Sequence, residues 1–259
     1  MDKLKTRVTA LLQANQLPIQ EMQQINEIIL KAYKLSINGV VEVFPKEVEI
    51  FYVNPKGRFK YIDSNMHCQL DPHTYDEFWA LQSNRFGKLY MHRKGLGGMD
   101  VCLSDSKEYA LCCTIKAAVV NGEEYWSQLN VRNAVLDALC RHEGIEPTKE
   151  NRIVWMNRLN EPEAISLLSP REETIEGMVY HLHRHGLRRR DKYVRLPLCS
   201  IMDIWNKKFL MSNVQKVNLY MSYHPDADVL EVLRQNNFRY IPTEIKMRYH
   251  IDKKAKLYE

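Results

Sequence analysis

Residues 87–119 read GKLYMHRKGLGGMDVCLSDSKEYALCCTIKAAV. Short apolar runs rich in β-branched and aromatic residues alternate here with turn residues, which predicts strands over 89–92, 100–103 and 109–120. Gly95, Gly97 and Gly98 supply the turn or bulge between the first two. Asn121-Gly122 ends the third. Strands this short and this close in sequence predict a curved, mainly antiparallel sheet. The same stretch holds His92, Asp100 and Lys116, where neighbouring strands can bring them together. Charges inside apolar strands are costly unless they are paired or functional.

Upstream, residues 40–44 and 48–53 predict two more strands separated by Pro45. Residues 2–16 and 19–36 carry apolar side chains at helical spacing, with Pro18 between them. The polar, turn-rich segment 54–86 is too long for a simple connection and reads as functional or ordered by short helices. Downstream, residues 127–141 predict a helix capped by Ser127. Beyond it the pattern weakens. It suggests strands at 153–156, 214–223 and 239–248, and helices at 172–185 and 226–236. The fold class predicted is α+β, one domain with flanking helices. It divides into a helical segment (1–37), a β-rich core (38–145) and a basic α/β part (146–259).

The chain has 259 residues, 45% hydrophobic and 27% charged, and a mean hydropathy of −0.44. No apolar run reaches the roughly 18 residues of a membrane span, and the N-terminal residues lack a secretory pattern. The expectation is a cytoplasmic protein without a membrane partner. The six cysteines form no CxxC pair and sit mostly in apolar contexts, as buried free thiols do. No ligand spacing for a zinc site is present, so no metal is expected. The net charge of +5 is unevenly spread. Residues 184–259 carry 16 Lys and Arg against 8 Asp and Glu, and the remainder carries 21 against 24. A basic C-terminal third suits a polyanion, with phosphate the obvious candidate, or forms a solvated face.

In the predicted strand around EVEIFY, Glu47, Glu49 and Phe51 share one face while Val48, Ile50 and Tyr52 share the other. Glu49 therefore faces either solvent or a cleft where it activates a water. Lys116 is the only charge between Ala110 and Val120, and its face carries the small residues Cys112, Thr114 and Ala118. It is either the charged member of a cavity wall or a lysine that snorkels to water. His92 and Asp100 either contact a polar ligand or close the hairpin. The run HLHRHGLRRR, residues 181–190, reads as a phosphate-contacting patch or a solvated helix end. Arg184, Arg188, Arg189, Arg190 and Lys192 are its candidate contacts. Tyr193 and Trp205 are stacking or core residues.

Taken in order, Glu47-Val-Glu49-Ile-Phe51, then His67, Gly87-Lys-Leu-Tyr90-Met-His92, Gly98-Met-Asp100-Val-Cys-Leu-Ser104 and Thr114-Ile-Lys116-Ala form a pattern. Over roughly residues 38–125 it resembles the alkyladenine (methylpurine) DNA glycosylases, and more closely their uncharacterised bacterial relatives. The resemblance implies a hydrolase that flips a damaged purine out of double-stranded DNA and removes it, without a cofactor. It implies Glu49 as general base, Lys116 as its cationic partner, and a base pocket drawn from Phe51, His67, Tyr90, His92, Asp100 and Ser104. The sequence departs from the family at three of these positions. Phe51 stands where the characterised enzymes carry tyrosine, Lys116 replaces an arginine, and Ser104 falls near an asparagine. A catalytically inactive nucleic-acid-binding protein on the same scaffold, or a small-ligand or interaction domain, is the alternative expectation.

Overall fold

The computed structural model describes residues 3–13, 18–56, 61–70, 72–92, 97–164, 166–184, 187, 192–207 and 211–258. They form two compact units, Met1–Met202 and Asp203–Glu259. The first carries an α+β fold built on a curled antiparallel sheet of ten strands with helices packed on it.

The central strand of that sheet is β2 (Val41–Asn54), which runs straight through Pro45 as one element. Along one edge it pairs successively with β1 (Tyr33–Ile37), β10 (Cys199–Ile201) and β3 (Tyr61–Ile62). Along the other it pairs with β6 (Ala110–Val120) over most of its length. From β6 the sheet continues to β5 (Met99–Cys102) and β4 (Leu89–Met91), and β7 (Glu123–Tyr125) returns along β6. The β6–β7 hairpin closes on Asn121 and Gly122, both at positive φ, the conformation a two-residue turn of this hand requires. Beyond β1 lies β8 (Ser166–Pro170), and β9 (Tyr180–Leu182) flanks β10.

The β2–β6 ladder shifts register twice. Pro45 faces Ala118, Glu47 faces Ala117 and Val48 faces Ile115, so Lys46 and Lys116 are the unpaired bulge residues. A bulge bends the strand and re-aims its side chain, which curls the sheet here and turns Lys116 toward Glu49.

One face of the sheet is apolar. Val48, Ile50, Cys113 and Ile115 join the main core with α1 (Lys3–Gln13) and α2 (Ile19–Ala32), whose Met22, Ile25, Ile29 and Leu30 are buried. Full burial of each such side chain is worth about 1.5–3 kcal/mol. The other face carries Glu49, Phe51, Cys112 and Thr114. Its smaller apolar cluster includes Phe51, Val53, Met66, Cys68, Cys102, Ala110 and Cys112. Segment 54–86 is ordered largely by short elements on this side: β3, α3 (His67–Leu70), a 3₁₀ turn at Pro72–Thr74 and α4 (Tyr75–Gln82).

Downstream of β7 the weak sequence pattern misleads. Ser127 does cap α5 (Gln128–His142). Residues 153–156, however, lie within α6 (Lys149–Asn160), where the Thr148 hydroxyl accepts from the Asn151 amide as N-cap. Among the described residues of 172–185 no helix forms, and β9 crosses the segment instead. Residues 33–36, read as helical, belong to β1.

The second unit is helical among its described residues: α7 (Asn213–Tyr223), α8 (Val229–Gln235) and α9 (Thr243–Arg248), around Val217, Leu233, Ile245 and Leu257. The strands expected at 214–223 and 239–248 are thus α7 and, after Pro242, α9. The missed signal for α7 is Ser212-Asn-Val-Gln215, a complete capping box. The helix in 226–236 appears as α8, capped by Asp228. Contact density falls at Met202–Asp203, and β8 to β10 belong to the first unit. No helix of the described residues is long and apolar enough to cross a membrane.

Candidate functional site

Glu49 lies on the polar face of β2, fully buried. Its Oε1 accepts a hydrogen bond from Arg184 Nε at 2.9 Å. The Lys116 ammonium pairs with Oε2 at 2.9 Å. Arg184 in turn donates from Nη1 to Asp63 Oδ2 at 2.6 Å, and its guanidinium lies 4.1 Å over the Phe51 ring. Lys116 also reaches Gln128 Oε1 at 3.3 Å, the first residue of α5. Two carboxylates and two cations therefore form a largely buried quartet linked in the order Lys116–Glu49–Arg184–Asp63.

Burial alone would hold the Glu49 proton on, but Lys116 and Arg184 outweigh it and keep the carboxyl below its usual range. Burial likewise works against the charged forms of Lys116 and Arg184, yet the carboxylates beside them pull both above their ordinary values. All three groups are ionised at neutral pH. Despite this pairing, Arg184 Nη2 has no hydrogen-bond partner among the described residues, and Glu49 Oε2 has Lys116 against it. Buried polar atoms left in this state cost about 1–3 kcal/mol each unless something else satisfies them.

The sheet register sets a second group beside the quartet. Tyr90, Asp100, Thr114, Glu49 and Cys199 face one another in a row across β4, β5, β6, β2 and β10. With strands about 4.8 Å apart, the backbones at Glu49 and Asp100 are about 10 Å apart. Asp100 Oδ1 accepts from Thr114 Oγ1 at 2.5 Å, and its Oδ2 is 2.9 Å from His92 Nε2. Burial raises the Asp100 proton affinity, but His92 and the Thr114 hydroxyl more than offset it and hold the carboxyl below its usual value. Gln82 Nε2 adds a contact to Oδ2 at 3.3 Å. Above this row, His67 is stacked between Phe78 and His92 with both ring centroids at 4.5 Å, and its Nδ1 lies 2.5 Å from the Tyr90 hydroxyl. Gly97 packs against His92 so closely that any Cβ there would fall 2.4 Å from the His92 Cβ.

Of the residues picked out from sequence, Glu49, Lys116 and Phe51 meet in the quartet, while His67, Tyr90, His92 and Asp100 meet in the neighbouring row. Ser104 does not join them. Its buried hydroxyl accepts from the Leu111 amide at 2.6 Å and closes the loop between β5 and β6. Arg184 is misread as a phosphate contact: its side chain has no exposed surface and is committed to Glu49 and Asp63. Arg188, Arg189 and Arg190 lie outside the described residues, and Lys192 is exposed beside Tyr193. Tyr193 is buried, and its hydroxyl accepts from the Ile62 amide at 3.3 Å. Trp205 is half-buried and packs on Tyr220 in the second unit. Two functional groups are absent from the sequence reading. Asp63 anchors Arg184 and also accepts from the Asn65 amide at the turn leading to His67, and Gln82 steadies Asp100.

Among the described residues no group of three or more His, Cys, Asp or Glu side chains is arranged to hold a metal ion. All six cysteines are free and buried. Searches against protein-family profiles and curated proteins return no match for this chain.

Proposed function

We propose that the chain is a DNA N-glycosylase-like hydrolase in which Glu49 orients and deprotonates a water that attacks the sugar carbon bearing a damaged purine. The carrying observation is the fully buried Glu49 carboxylate, held ionised between Lys116 and Arg184 beside a guanidinium nitrogen, Nη2, that has no hydrogen-bond partner among the described residues. That nitrogen is a donor, which a water beside the carboxylate would satisfy by accepting from it. An ionised carboxylate in a buried setting also stabilises the positive charge that develops on the sugar as the base departs. Lys116 and Arg184 keep that carboxylate charged. Phe51, His67, Tyr90 and His92 gather aromatic rings on the same side of the sheet, and a flipped base, held by stacking and a few polar contacts, would part the stacked His67 and His92. The order of motifs along residues 38–125 supports the same reading.

The test is release of bases from alkylated duplex DNA, scored as abasic sites. Wild type should release base, and Glu49→Gln should lose about 10²–10⁴-fold in rate. No release by wild type, or equal release by Glu49→Gln, defeats the catalytic reading. A second reading, binding without chemistry, is favoured by one observation: a carboxyl held at low proton affinity is a weak base. It predicts steeply salt-dependent DNA binding by both proteins with no base released. Binding indifferent to salt excludes it.

A further inference from the structure

Next to the Tyr90–Asp100–Thr114–Glu49 row lies a second one, Cys102–Cys112–Phe51, on the same face. Cys102 and Cys112 are directly opposite on β5 and β6. The backbone of Cys102 bonds away from β6: its amide donates to Lys88 O and its carbonyl accepts from Gly87, while Leu103 donates to Leu111 O. The two cysteines are therefore a non-hydrogen-bonded pair, the narrow kind, with Cα atoms about 4.5 Å apart. That lies inside the range of about 4.4–6.8 Å a disulfide spans. Both thiols point at one acceptor, Gln82 O, at 3.4 and 3.6 Å from Cys102 and Cys112.

We infer that Cys102 and Cys112 are an oxidisable dithiol, converted by hydrogen peroxide into a reversible cross-strand disulfide beneath the site. The step balances as one two-electron oxidation. The Cys102 sulfur attacks the peroxide oxygen, the O–O bond breaks, and a sulfenic acid and water form. The Cys112 sulfur then displaces the second oxygen as water, forming the S–S bond. Both thiol protons leave in the two waters. The Arg85 guanidinium near Cys102 favours the thiolate of this thiol. The Cys112 thiol is pushed up, chiefly by burial and by its neighbour. The other four cysteines lack this geometry. Cys113 lies on the opposite, main-core face, and burial pushes the Cys68 thiol up to about 12.

The consequence reaches the site through Gln82. Its carbonyl receives both thiols, its side-chain amide contacts Asp100, and its Oε1 accepts from the Cys68 amide at 3.0 Å. Oxidation removes both thiol donors from the residue that steadies the His92–Asp100 pair. Both sulfurs are fully buried, so the reaction proceeds through local opening and is slow.

The test treats the full chain with hydrogen peroxide, blocks remaining thiols with iodoacetamide, and maps linked peptides by mass spectrometry with and without dithiothreitol. The expected result is a linkage between Cys102 and Cys112, a fall from six free thiols to four, and full reversal by dithiothreitol. The linkage should persist in Cys113→Ser and vanish in Cys112→Ser. A link surviving Cys112→Ser, a link through Cys68, or only irreversible oxidation of separate thiols overturns the inference. Cys113→Ser assigns the link, because Cys112 and Cys113 share one peptide and Cys112 is the one opposite Cys102.

Discussion

The two faces of the central sheet are made from alternate residues of the same strands. Val48 and Ile50 point into an apolar core; Glu49, one residue from each, is held by an arginine and a lysine. The apolar face is a source of stability, because each buried aliphatic group gains transfer energy and close packing. The ionic face is a cost. Charges taken out of water regain their hydration only when geometry and pairing are near complete, and replacing such clusters by apolar residues is often neutral or stabilising. Stability alone would not select this quartet. It also leaves Arg184 Nη2 without a partner among the described residues, beside the carboxylate where the proposed chemistry is placed.

Measurements on the two faces sharpen this contrast. The largest effect should come from Arg184→Met, which takes the guanidinium from the buried Asp63 and leaves the buried Glu49 with Lys116 as its one cation among the described residues. We expect a loss of about 3–5 kcal/mol in urea denaturation. A loss below about 1 kcal/mol would mean the quartet is not the tightly paired unit described.

Acid should act on the ionic face next. The Glu49 and Asp100 carboxyls titrate below their unfolded values. Their contribution is thus present above the ordinary carboxylate range, about pH 4, and is lost as pH falls through the lowered folded values. Unfolding free energy measured from pH 6 downward should drop steeply on entering that window, and a Glu49→Gln protein should show a shallower drop. Equal slopes would break the assignment.

The apolar face offers the smaller perturbation. Ile50→Val should cost about 0.5–1.5 kcal/mol, and the same amount at pH 4 and pH 7, because no charge is involved. A pH-dependent cost would show that the faces are coupled. Smallest of all is an expected absence of effect. Lys116 is held protonated by Glu49, so borohydride should trap no covalent adduct between this lysine and abasic DNA. An adduct lost in Lys116→Arg would make the lysine a nucleophile and not an electrostatic partner.

Much of the first unit was legible from residue order. Period-two alternation in EVEIFY, the single lysine in an apolar run, and Asn-Gly at a strand end are local signals, and each reports a backbone geometry that local sterics already favour. The last third was not legible in the same way. Residues 214–223 alternate like a strand but fold as a helix because Ser212 and Gln215 cap it and apolar side chains from α8 and α9 complete its core. Residues 153–156 are helical for a similar reason, an N-cap at Thr148, five residues before the apolar run begins.

The chain alone determined that Glu49 and Lys116 sit in strands whose other residues demand burial, since that follows from hydrophobic periodicity. Only the tertiary structure decided what those charges meet. A register shift turned Lys116 onto Glu49. β9 and β10 brought Arg184 from far along the chain to the same carboxylate, with Asp63 behind it. Ion pairing acts through space at about 3 Å, and sequence separations of 121 and 135 residues leave no local trace of it.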